Sequence, residues 1–156
     1  MSFNTHRNLQ ADGIVISGFG CLTPAGNGRE SLWTAFREGR SGVSRIESFD
    51  PSPFPVQIAG EVRGIDPFEN VSRKERQHVS RAAALAIGAV RLALADAKLD
   101  PGILDLNARQ QIGVILGSGG GALEFAERQY GHYYRKQLKK ASVYAIPTST
   151  TGTISS

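Results

Sequence analysis

A chain of 156 residues with 40% hydrophobic and 21% charged residues is long enough to bury a core and too apolar for a disordered or fibrous class. Its formal charge of +4 permits an acidic partner without requiring nucleic acid. A single cysteine cannot form an internal disulfide, and the Cys and His residues show no metal-ligand spacing.

In chain order, residues 1–12 are polar, read as a mobile segment, and lack the apolar core of a signal peptide. "GIVISGFG" (Gly13 to Gly20) is β-branched, apolar and then punctuated by glycine, which predicts a buried strand entering a turn. Helical spacing of Leu32, Trp33, Ala35 and Phe36 predicts a helix over Glu30 to Glu38, with Trp33 in the core and Gly39 and Gly42 as stop signals. The prolines of "FDPSPFPVQIAGEV" forbid a helix, and the alternation of Val56, Ile58 and Val62 suits a short strand.

Ser72 and Glu75 have the spacing of a capping box, which predicts a long, central, Ala-rich helix from about Arg73 to about Lys98, with Pro101 beyond its end. Its longest apolar run, Ala82 to Val90, is too short to cross a bilayer. "QIGVILGSG" (Gln111 to Gly119) predicts a second buried strand, followed by the glycines 119 to 121. "ALEFAERQYGHYYRKQLKK" is helical in pattern but weakened by Gly131, and "ASVYAIPTSTTGTISS" ends in small hydroxyl residues as though in mid-element. There is no internal repeat and no linker-like tract.

The glycines at 18 and 20 and the run 117 to 121 follow strand-like segments, but neither completes a dinucleotide or P-loop pattern, so tight turns are favoured over phosphate cradles. His6, His78 and His132 fall in polar surroundings that suit solvated surface roles. Cys21 has no basic neighbour in sequence and opens no obvious helix, so it reads as a small, partly buried side chain. Arg73, Lys74 and Arg76 crowd the first turn of the long helix, against its macrodipole. A second basic run holds Arg135, Lys136, Lys139 and Lys140. Both are candidates for docking an acidic partner, weighed against a solvated face.

Taken in order, "VISGFGCLTPAGNG", "LWTAFREGRSGVSRIESFDPSPFPVQIAGEV", "SRKERQ", "ALADAKLD", "IGVILGSGGG" and "IPTSTTGTIS" resemble the N-terminal part of the β-ketoacyl-acyl-carrier-protein synthases, the elongating type in particular. The resemblance implies an α/β, thiolase-like fold, layered α/β/α/β/α, of which residues 13–156 would be an incomplete N-terminal portion. It implies decarboxylative condensation of an acyl thioester with malonyl carrier protein, in fatty-acid or polyketide synthesis. The chemistry needs a cysteine activated at a helix N-terminus, backbone N–H groups for the oxyanion, and histidines for the enolate.

By the same resemblance Cys21 is structural, and the nucleophile, both histidines and the assisting lysine would lie beyond Ser156. No catalytic residue is therefore expected here, and the chain alone should be inactive. Arg73, Lys74 and Arg76 become candidates for docking acyl carrier protein, although Ser80 replaces an acidic residue usual in the family. Gly120 matches a position that gates the acyl pocket, and glycine there would widen it. Tyr133, Tyr134 and Tyr144 become candidates for dimer or pocket contacts, with core packing as the alternative. No resident cofactor or metal is expected, since phosphopantetheine arrives on the carrier. The complete enzyme would be a cytoplasmic homodimer without nucleic-acid or membrane partners. The alternatives are a non-catalytic, chain-length-factor-like partner subunit and a carrier-binding module.

Overall fold

The computed structural model describes residues 13–76 and 78–149, so the expectation for residues 1–12 and the end of the last motif lie outside the described residues. A short hairpin comes first, β1 (Leu22–Thr23) against β2 (Gly26–Asn27), antiparallel. Thr23 closes it, donating through Oγ1 to the Gly26 carbonyl at 2.8 Å and accepting from Gly26 N at 3.1 Å. Helix α1 (Arg29–Arg37) follows, as its apolar spacing requires, and buries Ala35. Trp33 is not in the core as expected but 62% exposed. The inward face of α1 is formed by small Ala35, and Trp33 stands on another side of the helix.

The second hairpin pairs β3 (Val43–Arg45) with β4 (Ile58–Gly60), in the register Val43 with Gly60 and Arg45 with Ile58. The expected strand near Val62 is therefore confined to three residues, and its partner carried no strand signal of its own. Carboxylates and guanidinia bind the hairpin's flanks. Arg63 reaches Glu61 at 2.6 Å, Glu47 at 3.0 Å and the Arg45 carbonyl at 2.6 Å.

The central helix α2 (Arg81–Asp96) begins later than the capping-box spacing predicts. Ser72 and Glu75 form only a turn, with Glu75 N and Arg76 N both donating to the Ser72 carbonyl. Ser80, buried, is the residue that caps the helix, its Oγ accepting from Ala83 N at 3.1 Å. The conflict between basic residues and the macrodipole is thereby removed: Arg73, Lys74 and Arg76 precede the helix instead of occupying its first turn. Glu124 reinforces the same end, accepting from Arg81 N at 2.7 Å.

Both predicted buried strands depart from expectation. Residues 13–20 and 112–118 form no regular secondary structure and pair with no strand among the described residues, and Ile14 and Ile115 are 103% and 98% exposed. An apolar run states that it needs burial; a ladder also needs a paired strand, and neither run belongs to a sheet among the described residues. The glycines at the end of the first run do bring the chain onto α2. A Cβ at Gly20 would collide with the Ala89 carbonyl and lie 2.7 Å from Leu92 Cβ, and one at Gly18 would lie 2.7 Å from Ala97 Cβ. At the far end of α2, Asp96 accepts from Phe19 N at 3.0 Å and pairs with Arg29 at 2.6 Å.

After the short α3 (Leu106–Gln110), capped by Asp105, helix α4 (Leu123–Tyr134) tolerates Gly131 and buries Phe125 completely. The helical pattern expected to continue through Lys140 instead breaks at Lys136, which has a φ of 58°, before a 3₁₀ turn at Leu138–Lys140. Helix α5 (Ala145–Ser149), packed against α4, was not legible in sequence.

Candidate functional site

The basic cluster sits on the turn that precedes α2. Arg73 and Lys74 are exposed and form no ion pair among the described residues. Arg76 differs: its guanidinium lies 3.4 Å from Asp66 and donates through Nε to the Val71 carbonyl at 3.3 Å. Two of the three expected docking residues are therefore available to a partner, while the third is occupied in holding the turn.

The turn is tied to α5. Thr148 donates from Oγ1 to the His78 carbonyl at 3.1 Å, and the rings of His78 and Tyr144 meet edge to face at 4.5 Å. His78 is thus half-buried against an aromatic ring instead of solvated as expected, and His132 is also half-buried, with a buried Nδ1. His6 lies outside the described residues.

The three tyrosines do not form one cluster. Tyr144 belongs with the basic turn, whereas Tyr133 and Tyr134 touch each other at 5.6 Å on α4. All three are exposed, so core packing does not account for them. Tyr133 also lines a cavity of about 510 Å³ between α4 and α5, together with Tyr130 and Ile146. Gly120 is exposed, just before α4, and a Cβ there would lie 2.9 Å from the mobile end of Leu123, Cδ1. A Cβ at Gly120 would therefore require the Leu123 side chain to shift.

Cys21 is buried and its thiol free. Its carbonyl accepts from Gly28 N at 2.8 Å across the first hairpin, a structural position. Sequence reasoning missed the Glu61–Arg63 clasp. The Ser48 hydroxyl, the Arg63 guanidinium and Glu47 N all donate to the Glu61 carboxylate and hold its pKa down at about 2, below the ordinary 4.5. The pattern Glu61-Val62-Arg63 was the available signal, since alternate residues of an extended chain share a face. Among the described residues no cluster of His, Cys, Asp and Glu could hold a metal ion, and no helix is long and apolar enough to cross a membrane.

Solved ketosynthases share the fold: a β-ketoacyl synthase from Burkholderia phymatum superposes with a TM-score of 0.70 at 24% identity, over 90% of this chain and 34% of its own. A type II polyketide-synthase acyl-carrier protein in complex with its ketosynthase bound to the hexaketide gives 0.69 at 18% identity, over 90% of this chain and 36% of that one. The architecture is thus the N-terminal part of a thiolase-like fold. The model of the β-ketoacyl synthase N-terminal domain matches residues 11–156, and the chain belongs to that family. The 3-oxoacyl-[acyl-carrier-protein] synthase 2 of Synechocystis is 36% identical over 140 residues, covering 90% of this chain and 33% of the relative. The chain thus spans about a third of the length of that relative.

Proposed function

We propose that this chain supplies the carrier-docking turn and part of the acyl-pocket wall of a cytoplasmic, homodimeric β-ketoacyl-[acyl-carrier-protein] synthase. The observation that carries the reading is the family match across residues 11–156. In the reaction, malonyl carrier protein loses carbon dioxide, and the electrons of the broken C–C bond become an enolate. The enolate carbon then bonds to the acyl carbonyl as the C–S bond to the enzyme cysteine breaks, returning a thiolate. Cys21 takes no part: it is buried in a hairpin and opens no helix. The resemblance offers no residue of this chain as the nucleophile, the histidines or the lysine, so the 156-residue chain should be silent alone. Arg73 and Lys74 would meet the acidic carrier, which brings phosphopantetheine with it, and Gly120 would leave the acyl pocket wide.

Condensation assays test this. The native polypeptide should form β-ketoacyl carrier protein from malonyl carrier protein and an acyl thioester, and the isolated 156-residue chain should form none. Gly120→Phe should shorten the acyl chains accepted. Product from the isolated chain, or an unaltered chain-length profile, would remove the corresponding part of the proposal.

A further inference from the structure

The second basic run contributes to a cleft that carrier docking leaves unexplained. Between α4 and the segment 139–143 lies a cavity of about 460 Å³, lined by His78, Arg128, Gln129, His132, Lys139 and Lys140 among others. This falls within the roughly 300–1,000 Å³ usual for small-molecule sites. Every charged side chain in its wall is cationic, and no carboxylate lines it. Arg128, Lys139 and Lys140 form no ion pair among the described residues. Glu124, one turn before Arg128 on α4, is taken by Arg81 N at 2.7 Å. Glu127 is adjacent to Arg128 in sequence, and adjacent residues on a helix do not face each other.

The wall is also held in place. Arg128 Cζ lies 5.2 Å from the centroid of the Phe125 ring, which is fully buried and fixes the guanidinium by cation–π contact. Gln129 Oε1 accepts from Ser142 N at 2.8 Å, fastening the lysine-bearing segment to α4. His132 adds a buried Nδ1 that has no hydrogen-bond partner among the described residues. Cations gathered around one cleft repel one another, and a multivalent anion relieves that repulsion. A restrained arginine fork beside two ammonium groups suits tetrahedral oxyanions, and the volume leaves room for the group that carries one.

We propose that this cleft binds the phosphoryl group of a small phosphorylated ligand, held by Arg128, Lys139 and Lys140. The site stands independently of carrier docking at Arg73 and Lys74. Calorimetric titration of the native polypeptide with inorganic pyrophosphate, at fixed ionic strength, should give saturable binding. Arg128→Gln/Lys139→Gln/Lys140→Gln should weaken it about tenfold or more, given the strength of charge-assisted hydrogen bonds. Arg37→Gln/Arg40→Gln, at and just beyond the end of α1, should not. If the triple variant fails to fold, Lys139→Gln/Lys140→Gln, both on an exposed turn, carries the same test.

Absence of saturable binding, undiminished affinity in the lysine variant, or equal affinity for sulfate would overturn the proposal. Competition by carrier protein with and without its prosthetic arm distinguishes the ligand's source. Displacement of pyrophosphate by the arm-bearing form alone assigns the phosphoryl group to the carrier. Displacement by neither form assigns it to a free metabolite, and either result upholds the site.

Discussion

The β3–β4 hairpin and the two apolar runs around Ile14 and Ile115 make opposite use of their sequences. The hairpin is short, proline-flanked and rich in charge, yet its strands are paired and its carboxylates and guanidinia are engaged. The apolar runs are the most strand-like stretches of the chain, yet they are exposed and unpaired among the described residues. This hairpin finds its partner across the loop 46–57, at a modest loop-closure cost, whereas an inner strand depends on residues more distant in sequence. Hydrophobicity therefore measured the demand for burial in this chain, and locality decided which demand was met.

The sharpest way to break this contrast is to truncate one apolar side chain from each class. Phe125→Ala removes a fully buried ring and should cost about 3 kcal/mol or more. Ile115→Ala, at a residue 98% exposed, should change stability by less than about 0.5 kcal/mol in this chain. Urea-denaturation midpoints separate the two. Equal losses would mean that the run around Ile115 is buried after all.

A smaller effect distinguishes the two serines that could open the central helix. Ser80→Ala deletes the side-chain acceptor for Ala83 N and should cost about 1 kcal/mol. Ser72→Ala, in the preceding turn, should be close to neutral. Reversed losses in the same denaturation experiment would restore the capping-box start near Arg73.

The smallest effect is read by pH. Glu61 is held at about 2 in the folded chain against an ordinary 4.5. A depressed carboxyl contributes stability that is fully present above its unfolded value and lost as pH falls through its folded one. The clasp's contribution should thus fade between about pH 4.5 and 2, and Glu61→Gln should flatten the stability profile in that window. An unchanged acid limb in the variant would show that the clasp does not couple to folding.

Much of the local structure was legible because it is set by neighbours in sequence. The apolar spacing of Leu32 and Ala35 gave α1, and the Ala-rich run gave the body of α2. The start of α2 was misread because two serines offer the same cap chemistry, and only packing selects the buried one. Helix α5 has no periodic signal of its own and depends on α4 to hold it. Of the candidate site, Arg73, Lys74 and Gly120 were named by resemblance alone, and no pattern of spacing announces that His78 meets Tyr144 or that Glu124 reaches Arg81. The cleft around Arg128 was half legible, through its lysines, and was completed by the fold.

The most direct measurement is the KM of the native polypeptide for acyl carrier protein, before and after Arg73→Glu/Lys74→Glu. Both side chains are exposed and lie outside the core, so kcat should stay near its starting value while KM rises about tenfold or more through lost charge complementarity. An unchanged KM would contradict the account, separating this turn from carrier recognition.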